Sequence, residues 1–453
     1  MPLGSDFLVY NPLRGSCALI NAGALSLLRQ SLNGYSLRNS TLAPLWNALT
    51  GTYEPLRPRQ GPITSPLFLG LIPTRGCNMG CHYCDFSAPK YSDNLMTTQI
   101  ARDALDAYFA LLQEANQTVA NVHFFGGEPF QHEQVIHFAV GYAELLAEAA
   151  GISARFEVTT NGLYSASRCR WIADHFDAVV LSLDGLPDVH DRHRPALNGK
   201  GTFDPIARNA KILSEGSVEL IVRACVTADS VGSLADFAQW IAETLRPSTV
   251  CFETLSFSAQ ADASGMKAPD PVEFARSFER AAHVLREYGI TTVTSTAVLD
   301  GPRLSFCPIG KDALIVSPDG AVDACYLLRE EWNASGLDLR IGEVCPDAQN
   351  GAVFGFDSSA VERVRQMTVY ERPLCAECLC RYHCAGGCHV HHATDADAGN
   401  FDALCVQTRL ITVAGLLRRL GRDDLADRWI SDGDFATRGV WQRSDRLEKV
   451  GTL

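Results

Sequence analysis

Between residues 67 and 300 the chain alternates short apolar runs with longer stretches whose apolar residues recur every three or four positions. Runs at 67–73, 119–125, 154–160, 178–183, 219–227 and 249–255, most of them rich in β-branched or aromatic residues, predict strands. Over 100–112, Ala101, Ala104, Leu105, Tyr108, Leu111 and Leu112 share one helical face. Phe274, Phe278, Ala281, Val284 and Leu285 do the same over 272–288. Six strand–helix units of this kind predict an α/β fold, a partial (β/α)6 barrel of the TIM type. Chemistry in such folds sits at the carboxyl ends of the strands.

Residues 1–66 break this alternation. The stretch from Phe7 to Ile20 reads as strand, turn, strand, with Asn-Pro and Arg-Gly supplying the turn, and 22–32 reads as an amphipathic helix. Four prolines and a glycine over 53–66 read as a linker. The expected organisation is a small α+β element with its linker at 1–66, the barrel at 67–300, a cysteine-rich domain at 301–410 and a helical, charged tail at 411–453.

With 453 residues the chain has room for two or three domains. No apolar run reaches membrane-spanning length, and no basic segment precedes an apolar one at the amino terminus. A cytoplasmic protein with no membrane partner is the expectation. A net charge of −13 argues against nucleic acid as partner. Sixteen cysteines without an export signal point to metal ligation rather than disulfides, because twelve of them fall in a triad near residue 80 or between Cys307 and Cys405. Cys17, Cys169, Cys225 and Cys251 are scattered in mostly apolar patterns and read as buried small hydrophobes.

The triad is Arg75-Gly-Cys-Asn-Met-Gly-Cys-His-Tyr-Cys84, with Cys77, Cys81 and Cys84 spaced C-x3-C-x2-C directly after the first predicted strand. Three thiolates hold three irons of a [4Fe-4S] cubane and leave the fourth open to a small molecule. A structural zinc site is the alternative, with His82 as the fourth ligand. Phe124-Phe-Gly-Gly-Glu-Pro129 closes the second strand. Gly126 and Gly127 allow close backbone approach, Glu128 offers an acceptor for an ammonium group, and Pro129 suits the first turn of a helix.

Taken together, the triad and the Gly-Gly-Glu-Pro loop resemble the radical S-adenosylmethionine (SAM) enzymes. The resemblance implies that the loop holds the SAM amino group. It also implies that Tyr83 packs near the adenine, and that Asn161, Ser182 and Arg223, at or near later strand ends, contact SAM. Capping, turn or solvated roles are the alternatives for those last three.

The second cysteine field reads Cys307-x12-Gly320-x4-Cys325, then Cys375-x2-Cys378-x5-Cys384-x3-Cys388, then Cys405 after sixteen residues. It resembles the seven-cysteine SPASM extension of radical SAM enzymes that often modify peptides. Two auxiliary [4Fe-4S] clusters are implied, three clusters in all. One would be held by Cys307, Cys325 and Cys388, the other by Cys375, Cys378, Cys384 and Cys405. Ser317-Pro-Asp-Gly320 reads as a hairpin turn that brings Cys307 and Cys325 together. Cys345 is the candidate fourth ligand of the first auxiliary cluster, with an open iron as alternative. Cys380 is a spare, and His389, His391 and His392 read as a solvated polar stretch.

The resemblance implies an electron donor such as flavodoxin or ferredoxin, reductive cleavage of SAM, and hydrogen abstraction from a precursor peptide or protein substrate. Sulfatase-maturing relatives carry an Asp, taken as the base, where this chain has Tyr326. That departure and the amino-terminal element, which loosely resembles PqqD-like peptide-binding domains, favour a maturase that crosslinks a ribosomally made peptide. A formylglycine- or thioether-forming protein maturase and a small-molecule dehydrogenase are the other enzymatic readings. An iron–sulfur electron carrier or a zinc-binding module is the non-enzymatic one.

Overall fold

The computed structural model describes residues 1–38, 40–86, 93–256, 258–347, 351–392 and 401–431. Its strands are β1 (Pro2–Leu3), β2 (Asp6–Asn11), β3 (Ser16–Asn21), β4 (Phe68–Leu71), β5 (Val119–Phe124), β6 (Ser153–Thr160), β7 (Ala178–Ser182), β8 (Glu219–Val226), β9 (Thr249–Thr254), β10 (Thr291–Val293), β11 (Ala313–Val316), β12 (Ala321–Asp323), β13 (Arg340–Asp347) and β14 (Gly351–Phe356). The first three form a small antiparallel sheet. The other eleven form one sheet, in the order β10-β9-β8-β7-β6-β5-β4-β11-β12-β13-β14.

The six strands expected from the pattern are β4 to β9, paired in parallel and in sequence order. A seventh, β10, adds in parallel to β9; at three residues it is too short to stand out as an apolar run. The sheet stays open, with β10 and β14 as its edges. Its strands bury Leu69, Leu71, Val122 and Phe124 against the helix Thr98–Glu114, through Ala101, Ala104, Leu105 and Tyr108. Each such fully buried large side chain contributes about 1.5–3 kcal/mol. Thr97 caps that helix by accepting from Ile100 N–H. The helix Pro271–Glu287 is capped by Asp270, which accepts from Val272 and Glu273 N–H, and starts on a proline.

Two expected boundaries do not coincide with structural breaks. β11 pairs in parallel with β4, Ala313 opposite Phe68 and Val316 opposite Leu71, so the sheet continues across residue 300. The helix Ala403–Arg419 runs through 410/411 and packs on the Pro271–Glu287 helix. Residues 432–453 of the expected tail lie outside the described residues.

At the amino terminus β2 and β3 pair through a turn in which Arg14 N–H reaches Asn11 O at 3.3 Å, and the helix Ala22–Leu32 follows. A second helix, Ala43–Thr50, has no counterpart in the expectation, and 53–66 carries neither helix nor strand. The Tyr10 ring stacks on His383 at 5.6 Å, and its hydroxyl hydrogen-bonds His383 Nε2. The element therefore rests against the cysteine-rich segment.

Candidate active site

The triad follows β4 in a loop tied down along its backbone. Gly80 N–H bonds Pro195 O at 2.9 Å and His82 N–H bonds His193 O at 3.0 Å. Burial first, then the neighbouring Glu128 and Cys81, push the Cys77 thiol up to about 12. Burial and Cys84 raise Cys81 to about 11 against the pull of Arg194. None of the three forms a disulfide. Buried thiols that raise one another's proton affinity need a positively charged group to hold them as thiolates, which the irons of a cluster would supply. A single zinc ion needs its donors within about 4 Å of one another. Among the described residues the only three such donors within 4.8 Å of one another are on His392, Asp402 and Cys405. The wider spacing of the triad fits a cubane better than one ion.

The loop after β5 lies directly on the triad loop. Gly127 N–H bonds Thr74 O at 3.1 Å and Glu128 N–H bonds Gly76 O at 2.8 Å. A Cβ on Gly126 would come to 2.3 Å from Thr74 O, and one on Gly127 to 2.1 Å from Gly76 O. The two glycines thus exist to let two backbones touch. Glu128 is fully buried, and its carboxylate accepts from Phe130 N–H, the Thr160 hydroxyl and Asn161 N–H. Burial raises its carboxyl and these hydrogen bonds counter the rise. Its acceptors are engaged inside the protein, where they splice the β5 loop to the end of β6. Asn161 completes the joint. Its amide donates to Asn78 Oδ1 at 2.8 Å and to Cys77 Sγ at 3.5 Å.

Tyr83 sits in a polar network that the sequence did not reveal. Its hydroxyl donates to Asp184 Oδ2 at 2.6 Å and accepts from Arg194 at 2.5 Å. Burial alone would raise the Asp184 carboxyl, but Arg194 and His193 hold it below its usual range. Asp184 also accepts from Cys225 N–H on β8. Asp85, next to Cys84, is raised to about 7, mainly by burial and then by Glu331.

Ser182 ends β7 opposite Arg223, which is itself opposite Cys251. In parallel strands such pairs share a face, so Ser182, Arg223, Cys225, Cys251 and Glu253 line one side of the sheet. Leu181, Val222, Val250 and Phe252 are buried on the other. Cys169 is buried as expected, whereas Cys17, Cys225 and Cys251 are partly exposed. The Cys251 thiol donates to Glu253 at 3.1 Å.

The second field gathers into two groups. Burial raises Cys325 to about 12 and Cys307 to about 11, and Cys388 adds to both. Cys384, raised to about 12, has Cys378 and Cys375 as neighbours, and Cys405 has Cys384 and Cys378. Cys380 is buried and lowers Cys378 through a hydrogen bond, so it supports a neighbouring sulfur. The turn at Ser317–Gly320 forms, with Ser317 N–H on Ala321 O at 2.9 Å. Arg75 joins that hairpin to the triad loop, donating to Tyr326 O at 2.6 Å and Ser317 Oγ at 3.3 Å. No local signal in the sequence marked it.

Two expectations need correction. Ala324 N–H bonds Leu339 O, so Cys325 leaves the sheet beside that end of β13. Cys345 lies six residues further along, roughly 20 Å away at the rise of a strand. It cannot share a cluster with Cys325. The histidines are not a solvated stretch either. His392 is buried and His389 and His391 are partly so. His392 bonds Asp402 at 2.6 Å and Arg372 donates to His389 Nδ1 at 3.1 Å.

Residues 71–240 match the Radical SAM superfamily. The serine-type anaerobic sulfatase-maturating enzyme of Klebsiella aerogenes is 23% identical over 332 residues, covering 70% of this chain and 77% of that protein. The mycofactocin maturase MftC of Mycolicibacterium smegmatis is 27% identical over 180 residues, 39% of this chain and 42% of that protein. Among solved structures, native anSMEcpe with bound AdoMet and Kp18Cys peptide superposes with a TM-score of 0.60 at 17% identity, over 78% of this chain and 99% of that one. Among the described residues no helix is long and apolar enough to cross a membrane. A triad loop locked to a Gly-Gly-Glu-Pro loop at the carboxyl end of a parallel sheet, together with these matches, gives the chain a radical SAM domain over residues 71–240 and a likeness to the sulfatase and mycofactocin maturases.

Proposed function

We propose that the chain is a peptide maturase that installs a C–S, C–C or C–O crosslink in a ribosomally made precursor. Cys77, Cys81 and Cys84 hold the catalytic [4Fe-4S] cluster in this reading, and the two groups of the second field hold one auxiliary cluster each. When bound, cluster and SAM supply the electron and the hydrogen-abstracting radical. The chain's own residues orient and shield. The Gly126–Glu128 loop and Asn161 fix the triad, Tyr83, Asp184 and Arg194 brace its far side, and Ser182 and Arg223 face the space where SAM and substrate meet. The amino-terminal sheet offers an edge to which an extended peptide adds. Flavodoxin or ferredoxin supplies electrons.

The observation that carries this reading over a formylglycine-forming one is the setting of Tyr326. Its ring stacks on Phe68 and lies 4.5 Å from Phe125, with its hydroxyl over Gly70. Burial raises the phenol far above its ordinary value. A group so placed fills the barrel and does not take a proton at neutral pH. The test is anaerobic incubation with SAM, dithionite and the short peptide encoded beside the enzyme, followed by fragmentation mass spectrometry. Loss of two hydrogens with no fragments between the linked residues is expected. An aldehyde at a single Ser or Cys would favour the sulfatase-type reading instead.

A further inference from the structure

The geometry points to His391 as the non-cysteine ligand that completes the cluster at Cys307, Cys325 and Cys388, with Asp85 as its carboxylate partner. The inference rests on the auxiliary cluster proposed above and supplies the ligand that three thiols leave wanting. Cys345 is too far along β13 to serve.

His392 N–H bonds Cys388 O at 3.0 Å, which closes one helical turn. Residues three apart on such a turn lie side by side, so His391 stands next to Cys388. Its Nε2 is buried and has no hydrogen-bond partner among the described residues. An isolated buried polar atom is costly, and a ligating role removes the cost. Its Nδ1 lies 3.8 Å from Asp85 Oδ2, with the two side chains 13% and 24% exposed. A metal-bound imidazole usually turns its other nitrogen toward a carboxylate, and Asp85 stands at ion-pair distance on that side, with the ligating nitrogen left over.

The flanking histidines do not compete. His392 spends both nitrogens on Asp402 and Gly386 O. His389 also has an unpartnered Nε2, but it directly follows Cys388 and so points elsewhere around the turn, with Nδ1 held by Arg372. The arrangement has a consequence for coupling. Asp85 directly follows Cys84, so one side-chain contact joins the loop of the catalytic cluster to a ligand of the auxiliary one. A neutral imidazole in place of a thiolate raises a cluster's reduction potential.

The test uses full-length protein with Cys77, Cys81 and Cys84 changed to Ala, so that auxiliary signals stand alone. Pulsed EPR of the reduced protein is compared with and without 15N-labelled histidine. The expected result is a strong coordinated-nitrogen coupling that follows the label and disappears in His391→Cys, a variant that keeps a fourth ligand and its iron. A protein that holds about eight irons yet shows no such coupling overturns the inference and leaves the proposed function standing. A coupling that survives His391→Cys overturns it equally. If no auxiliary iron binds at all, the inference falls together with the reading on which it rests.

Discussion

Changing Gly127 to Ala should separate the triad loop from the β5 loop without disturbing the rest of the protein. The added Cβ would lie 2.1 Å from Gly76 O, 2.5 Å from Arg75 O and 2.6 Å from Gly76 C, all backbone atoms that cannot rotate away. Ordinary contact begins at 3.4 Å, so the loops must part by more than an ångström. That movement stretches the bonds from Gly127 N–H to Thr74 O and from Glu128 N–H to Gly76 O. Overpacking costs about 1–3 kcal/mol and each lost hydrogen bond about 1 kcal/mol, which gives about 3–5 kcal/mol in all. A displacement of about 1 Å at a reacting centre costs about 10²-fold in rate. Formation of 5′-deoxyadenosine under dithionite should therefore fall by about two orders of magnitude while about eight auxiliary irons remain. Gly141→Ala is the control. It lies in the helix Glu133–Ala150 with nothing within 4 Å of the new atom, and it should be neutral or stabilise by up to about 1 kcal/mol. A Gly127→Ala protein that cleaves SAM at the parent rate with full iron would refute the close-approach argument.

Three further outcomes are expected. Cys345→Ala should leave iron content and the auxiliary EPR signals unchanged, and loss of iron would restore Cys345 as a ligand. Tyr326→Phe should leave SAM cleavage and product formation intact, whereas a selective loss of product would show that the phenol takes part in the chemistry. His190 is buried, accepts Asp184 N–H at Nδ1, and is lowered by burial to about 4. Below about pH 6.5 the unfolded chain takes a proton that the folded one refuses, so stability declines as pH falls from 6.5 toward 4, by up to about 3 kcal/mol. The parent should thus lose more in Tm than His190→Gln between about pH 7 and 5.5, and parallel profiles would remove His190 from the account.

How much of this was legible depended on whether a feature had a local signature. The six strands β4 to β9 were readable because most carry short stretches of β-branched or aromatic residues with one buried face. The hairpin of β11 and β12 was readable from Ser-Pro-Asp-Gly. The pairing of β11 with β4 was not, since contact between residues some 245 positions apart leaves no mark in either segment. The same division holds in the site. Cysteine spacing picked out the candidate donors, but only the fold separates Cys345 from Cys325 by the length of a strand. The Tyr83–Asp184–Arg194 network, the reach of Arg75 to Tyr326 and the pairing of His391 with Asp85 all join segments distant in sequence. The three histidines looked solvated because a run of polar residues carries no sign of what will be packed over it. The internal partners of Glu128, Thr160 and Asn161, could not be read because they lie at the end of the next strand.

The most direct test of the central claim is iron and SAM chemistry measured on the same two preparations. Anaerobically reconstituted parent protein should bind about twelve irons and form 5′-deoxyadenosine, while the variant with Cys77, Cys81 and Cys84 changed to Ala should keep about eight irons and form none. Stoichiometric zinc in place of iron in the parent, or SAM cleavage that persists in the variant, would contradict the account.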